Sequence, residues 1–313
     1  MSKTTGPRVV CVGVVTLDAL ALVDSYPGAD QRVVAQQIRF AGGGPAATAA
    51  VVLARQGVPV AFAGRVGADD AGEQAVAQLA AEGVDVSGVE RTADVPTQVS
   101  CVVVTEESQS RAISTLKVPA LSSLTPRAQE LIGQAEWVHA DHLGYAPVAA
   151  HFAGLTRRPK LSLDAGNPVA GLDDTALVDL FVPTVGSLCA TTGGDDAPSA
   201  ARQVLAAGTT TVVATDGSAG SHAWWYEAGD ADPQHAFAPA MAGVRIVSTL
   251  GAGDVFHGGL LAAICRGENW ADALRSANAT AALSCRALDG RSAVPTLTEL
   301  TTFLHPVAGS PAV

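Results

Sequence analysis

Ten residues, Leu250-Gly251-Ala252-Gly253-Asp254-Val255-Phe256-His257-Gly258-Gly259, set one carboxylate in a glycine turn. Phe256, Leu260 and Ile264 follow at helical spacing, and Gly267 falls where a helix C-cap belongs. The preceding segment 244–248 is short and β-branched, which predicts a strand. The expected unit is therefore strand, glycine turn and helix N-terminus. The first amides of a helix have no intrahelical partner, and the dipole there favours negative charge. Small residues at Gly251, Ala252 and Gly253 let a phosphate approach the backbone closely. Asp254 would then stand beside an acceptor hydroxyl and take its proton. The same pattern is equally met by a tight turn with Asp254 as a plain helix cap.

A second glycine run, Gly42-Gly43-Gly44, leads into a helix predicted over 46–56 and ending at Gly57. Gly42, Gly44 and Ala47 fit G-x-G-x-x-A, the dinucleotide fingerprint. The acidic residue that should follow it is absent between Val51 and Ala68, which argues against a nicotinamide-dependent oxidoreductase. Backbone exposed at Gly43 and Gly44 suits a small polyol instead.

These turns need elements to hold them. The run from Val9 to Val15 is almost continuously apolar, as in a parallel strand covered on both faces. Asp18 follows its end, where open α/β sheets place ligands. Strands are expected at 20–23, 32–39, 58–63, 97–104, 111–115, 137–140, 161–164, 181–185 and 210–215, with helices at 71–82 and 270–283. Trp224, Trp225 and Tyr226 read as a solvent-edge strand. With 313 residues, 48% of them hydrophobic, the chain can build one large α/β domain.

A net charge of −11 and a pI near 5.0 argue against nucleic acid or an anionic membrane as partner. The five cysteines are scattered, odd in number and without C-x-x-C, so neither a disulfide framework nor a zinc site is expected. A reducing cytosol is the natural compartment. No apolar run approaches the ~20 residues of a membrane span without charge or glycine breaks.

The Gly251 to Asp254 motif resembles the C-terminal signature of the PfkB/ribokinase sugar kinases. Phe40 to Gly57, with Gly64-Arg65-Val66-Gly67-Ala68-Asp69-Asp70-Ala71-Gly72, resembles their N-terminal signature. The resemblance implies a ribokinase-like α/β fold across 1–313: one doubly wound, mostly parallel sheet flanked by helices. A small β lid would come from insertions near 16–39 and 97–117, and it serves family members as a homodimer contact. It implies ATP with Mg2+ as cofactors and a sugar as acceptor. Asp254 would be the base, with the amides of Gly251, Ala252 and Gly253 holding the transferring group. Asp18, Gly43, Gly44 and Thr48 would hold the acceptor. The family usually carries Asn at the position of Thr48. Arg111 falls where related ketohexose kinases place a lid arginine, though an edge-strand charge at that point is an equal reading.

On the nucleotide side, the resemblance implies ATP contacts at Thr215, Gly217 and Gly220, an adenine pocket at Asn278 and closure by Gly290. Asp164 looks toward the metal region. Two departures stand out. The family's N-x-x-E magnesium motif is replaced by Thr184-Val185-Gly186-Ser187, so Mg2+ must be arranged otherwise, through Asp164 and waters. Ser248 stands where a cation-binding Asp is usual, so activation by a monovalent cation is not expected. The tail 282–295 resembles ketohexose and sulfofructose kinases. Ribokinase, 2-keto-3-deoxygluconate kinase and nucleoside kinase activities stay open, as does a non-catalytic sugar or nucleotide sensor.

Overall fold

The computed structural model describes residues 6–105, 107, 110–172 and 175–306; residues 106, 108 and 109, in the polar turn that would join the strands expected at 97–104 and 111–115, lie outside them. The chain opens with β1 (Val9–Val12), whose four residues are all buried, then forms an antiparallel hairpin of β2 (Thr16–Val23) and β3 (Gln37–Gly43). Helix α1 (Pro45–Arg55) and β4 (Val60–Ala63) return it to the main sheet. The short parallel pair β5 (Arg65–Gly67) and β6 (Glu90–Thr92) brackets α2 (Asp70–Ala81). Next come β7 (Val99–Thr105) and β8 (Arg111–Thr115), then α3 (Pro126–Gln134), β9 (Trp137–Ala140) and α4 (Tyr145–Phe152). Strands β10 (Lys160–Asp164) and β11 (Leu180–Val182) precede α5 (Val185–Thr192) and α6 (Ala197–Ala206). Strands β12 (Thr211–Thr215), β13 (Ser221–Trp225) and β14 (Gln234–Ala238) lead to α7 (Ala252–Arg266), α8 (Trp270–Ser284) and α9 (Leu297–Leu304).

Eight strands form the main sheet in the order β14-β13-β12-β11-β10-β9-β1-β4. From β12 to β4 every pairing is parallel; β13 and β14 add an antiparallel edge. One apolar cluster packs α3 to α6 on one face, and two others pack α1, α2, α7 and α8 on the other. This is the doubly wound α/β architecture expected. A separate four-stranded sheet, β3-β2-β7-β8, covers the C-terminal end of β1. In it Asp18 pairs with Ser100 and Ser100 with Thr115, so these three polar residues share the face turned to the body.

Glycine sets how closely α7 can sit. A Cβ on Gly258 would lie 2.6 Å from the Val52 Cβ, and one on Gly259 would lie 3.0 Å from the Thr280 Cβ. Two glycines inside a helix each cost about 1 kcal/mol against alanine. They are tolerated because α1 and α8 then grip α7 and fix the direction of its first turn.

Four sequence expectations need correction. Segment 244–248 is not a strand: the amides of Val247 and Ser248 both donate to the Cys285 carbonyl at the end of α8. The strand expected at 32–39 begins at Gln37 and runs on into the glycine run, because β2 pairs with it from Leu22–Gln37 to Thr16–Gly43. The strand expected at 181–185 stops at Val182, since Pro183 has no amide to donate and Thr184 caps α5 through Ser187 N. Trp224 is buried, and β14 lies outside β13, so these tryptophans are not at the sheet edge.

Candidate active site

The first turn of α7 is built by Gly251, whose φ of 74° is a left-handed conformation that side chains resist. A Cβ there would also come within 3.0 Å of the Gly290 Cα, so the turn and the 289–291 segment touch through backbone. The Ala252 amide donates to the Thr249 carbonyl. Among the described residues, no protein acceptor takes the amides of Gly253 and Asp254, and a Cβ on Gly253 would meet nothing within 4 Å. Free amides at the positive end of a 15-residue helix, with room before them, suit an anion.

Beside this turn lies a cavity of ≈ 260 Å³, closed on one side by the lid. Asp18, Gly43, Ser100 and Thr115 line it from the lid; Gly44 and Asp254 line it from the body. A Cβ on Gly43 would collide with Asp18 Oδ2, and one on Gly44 would collide with the Val14 carbonyl oxygen. Gly44 is therefore required by backbone approach at a φ of 94°, while a side chain at Gly43 would displace the Asp18 carboxylate. Asp18 Oδ1 accepts from the Thr16 hydroxyl at 2.9 Å. Burial raises its pKa, offset by hydrogen bonds from Thr16 and Ser100 and by the charge of Arg291.

Arg291 was not singled out by its surroundings in the sequence, yet it organises this wall. Its Nε donates to Thr48 Oγ1 at 3.1 Å and its Nη2 to the Gly43 carbonyl at 2.5 Å. Nη1 is buried without a partner, and among the described residues no carboxylate forms an ion pair with this guanidinium. Burial lowers its pKa to about 10, so it stays charged at neutral pH. Thr48 lines the cavity, and its hydroxyl oxygen accepts from Arg291.

Two further buried groups shape the site. Asp141 accepts from the amides of Val14, Leu143 and Gly144 at 2.9 Å each, and from Ala46 at 3.3 Å. It thus ties the ends of β1 and β9 to the start of α1. Asp164 lies 3.2 Å from His257 Nε2 and accepts from the Gly166 amide. Burial works against the pair's charges. The Asp164 carboxylate nevertheless holds the His257 proton on, and His257 in turn keeps Asp164 ionised. Sequence reading missed this pairing, although His257 sits one helical turn beyond Asp254 and could have signalled it.

Asp254 collects these influences. Burial first, then the charge of Asp164, pushes its pKa up; His257 pulls it down, Asp141 adds to the rise, and Arg291 opposes it. The result is about 7. A base must be ionised to accept a proton, so kcat/KM should climb with pH below that value and level off above it. A profile between about pH 5.5 and 9, with acceptor and nucleotide as the varied substrates, checks this. A flat profile across neutrality would mean that Asp254 does not govern the rate.

The remaining expected residues divide. Gly290 lines the cavity beside the α7 turn, with Asp289 next to it. Arg111 lies outside the cavity lining and donates to Thr249 Oγ1 at 3.0 Å, two residues before the glycine turn. Gly217 and Gly220 form a one-turn 3₁₀ loop after β12, with Thr215 at the strand end. Asn278 donates to the carbonyls of Ala238 and Pro239 and accepts from the Ser221 hydroxyl, which fixes the loop after β14 from α8. None of these last four residues lines that cavity. Asp164 does not line it either, and no group of three or more metal-ligating side chains occurs among the described residues. No helix among them is long and apolar enough to cross a membrane.

A doubly wound sheet under a β lid, with a glycine-turned helix end whose Asp254 carboxylate faces a small cavity, defines the ribokinase-like fold. The family profile for the pfkB family carbohydrate kinases matches residues 7–297, and this chain belongs to that family. It is a phosphotransferase with an alcohol group as acceptor. Ketohexokinase of Mus musculus is 27% identical over 294 residues, covering 89% of this chain and 96% of that protein. Ribokinase of Haemophilus influenzae is 24% identical, covering 94% and 97%. Arabidopsis thaliana ribokinase complexed with ribose and ATP superposes with a TM-score of 0.80 at 21% identity, over 97% of this chain and 100% of that one. An E. coli chain described as a ribokinase II, in complex with ATP and Mg2+, gives 0.77 at 20% identity, over 96% and 100%.

Proposed function

We propose that this chain transfers the γ-phosphoryl group of ATP to a primary hydroxyl of a monosaccharide, with a ketohexose as first choice. The observation that carries the reading is the meeting of the Asp254 carboxylate with the unpartnered amides of Gly253 and Asp254 at the edge of the acceptor cavity. Asp254 takes the acceptor proton as the new O–P bond forms. The bond from the γ-phosphorus to the bridging oxygen breaks, and its electron pair leaves with ADP. Such transfers need positioning and charge stabilisation more than covalent chemistry. The helix N-terminus provides charge stabilisation, and the lid provides exclusion of water.

Thr215, Gly217 and Gly220 lie at the end of β12, and a Cβ on Gly217 would meet nothing within 4 Å, which leaves room for a nucleotide beside its backbone. The Asn278 amide is taken up by Ala238, Pro239 and Ser221, so it would shape that region rather than donate to the nucleotide. Mg2+ when bound would screen the phosphate charge. Asp164, whose Oδ1 is taken by His257 and the Gly166 amide, would hold it through its other oxygen together with waters. Ser248 Oγ accepts from the Leu250 amide and brings no charge to a monovalent cation. Release of ADP in the presence of ATP and Mg2+ across fructose, ribose, 2-keto-3-deoxygluconate and a nucleoside tests the assignment. Fructose should give the highest kcat/KM, and Asp254→Asn should abolish the signal. A variant as active as the native chain would reject Asp254 as the base. No ADP release with any acceptor would favour a sensor instead.

The outer face of the lid supports a homodimer. Ile38, Phe40 and Leu116 are 68%, 60% and 45% exposed, and Ala19, Ala21 and Cys101 share their face. No charged residue interrupts it among the described residues, and an uncovered apolar sheet face marks an interaction surface. Phe40→Asp should convert a dimer to a monomer in sedimentation velocity. A wild-type monomer at all concentrations would contradict this.

A further inference from the structure

His257 and Asp164 form a buried pair that the proton transfer to Asp254 does not use; they are 7% and 5% exposed. Asp164 ends β10, and parallel pairing through β11 to β12 sets it at the same end of the sheet as the 215–220 loop. On the other side, Asn167, three residues on, lines the acceptor cavity, and His257 follows Asp254 by one turn of α7. The Asp164 carboxylate therefore stands between the acceptor cavity and the loop beside which a nucleotide would lie. After burial, its charge is the largest cause of the raised Asp254 pKa, which agrees with a place near the base.

The pair is directional. Oδ1 takes both protein bonds, from His257 Nε2 at 3.2 Å and from the Gly166 amide at 2.9 Å. Among the described residues nothing donates to Oδ2. The backbone that carries His257 cannot shift, because Gly258 and Gly259 lock α7 against Val52 and Thr280. Behind it lies the ring of His139, 5.6 Å away, with its Nδ1 at 3.1 Å from Ser162 Oγ. Two nitrogens in this stack, His257 Nδ1 and His139 Nε2, are buried without a partner. Unmet buried groups are destabilising, so packing alone does not account for a histidine at 257. What the ring supplies is a donor fixed on one oxygen of Asp164. The segment after β11, Thr184-Val185-Gly186-Ser187, brings no carboxylate, and the Thr184 hydroxyl is spent capping α5.

We infer that His257 is a positioning residue: by pinning Oδ1 of Asp164 it leaves Oδ2 free, in one orientation, for the Mg2+ that accompanies the nucleotide. This rests on the kinase reading above and deepens it. A carboxylate already held by a neighbour loses less freedom when it meets a cation or its waters. Partners that orient a metal-binding side chain typically contribute about 10- to 100-fold in metal affinity.

The test titrates Mn2+ into the chain with a nonhydrolysable ATP analogue and reads the free ion by electron paramagnetic resonance. Calorimetry without metal reads binding of the analogue alone. His257→Leu should weaken Mn2+ uptake by ~10- to 100-fold and leave metal-free binding of the analogue unchanged. His257→Gln, which keeps a donor, should recover most of the loss. On an Asp164→Asn background, His257→Leu should add little, because the two act as one unit. Should the leucine variant not fold, the wild-type chain with 15N-labelled histidine decides: Mg2+ added to the analogue complex should shift the His257 Nε2 resonance, and should not in Asp164→Asn. Unchanged Mn2+ uptake by a folded His257→Leu chain, or an unmoved resonance, overturns the inference. So does an equal loss of metal-free analogue binding, which would mark His257 as structural. A wild-type chain that takes up neither analogue nor Mn2+ removes the kinase reading as well, whereas wild-type uptake that survives the substitution removes the inference alone.

Discussion

Asp254→Asn should lower kcat by at least ~10³-fold while leaving the acceptor KM within a few-fold, because a positioned base acts on the transfer step rather than on binding. The same variant should be more stable than the native chain, and this is the more discriminating half of the expectation. The folded-state pKa of Asp254 lies above its unfolded value, pushed there by burial and Asp164. Protonated Asp254 favours the fold, and that contribution is fully present below the unfolded carboxylate pKa. It is lost as the pH rises through about 7, where the carboxylate ionises in its buried setting. Asparagine removes the charge, so the gain in Tm should be large above neutrality and shrink toward acid pH. A loss of activity accompanied by a lower Tm at alkaline pH would point to damage to the turn instead.

Arg291→Gln and Arg291→Lys carry the second large effect, and they separate geometry from charge. Both lose the fork that grips the Gly43 carbonyl and Thr48. Leaving such buried groups unmet costs about 1–3 kcal/mol. If that falls on acceptor binding, KM rises by roughly 10- to 100-fold, at 1.4 kcal/mol per tenfold. Only the glutamine variant also removes the positive charge that favours ionised Asp254. Its acid limb should therefore move to higher pH, while that of the lysine variant stays near the native position. Equal limbs in both would show that Arg291 acts through the cradle alone.

The sequence carried the fold because its elements repeat local rules. Val9 to Val12 is a fully buried parallel strand, and it read as one from its unbroken apolar run. The helix after Gly251 showed itself by spacing and by Gly267, which caps it at a φ of 81°. Segment 244–248 misled because β-branched residues mark a strand only where a neighbour supplies hydrogen bonds, and here Cys285 took them. The chemistry was legible where a motif concentrates it in a few residues, as at 251–254 and 42–44. It was not legible where distant residues meet. Arg291 reaches Thr48 across 243 positions of chain, and Asp164 meets His257 from a distant strand. Nothing local about a Gly-Arg-Ser turn or an Asp at a strand end states such a partner. The charge of the acceptor wall likewise belongs to Asp18, Asp254 and Asp289 together, and only the folded chain assembles them.

A crystal structure of the chain with fructose and a nonhydrolysable ATP analogue tests the central assignment most directly. It should show an Asp254 carboxylate oxygen at about 2.6–3.2 Å from a primary hydroxyl of the sugar. The terminal phosphate should rest on the amides of Gly253 and Asp254. A sugar bound with Asp254 away from every hydroxyl, and the phosphate off the end of α7, would contradict the account.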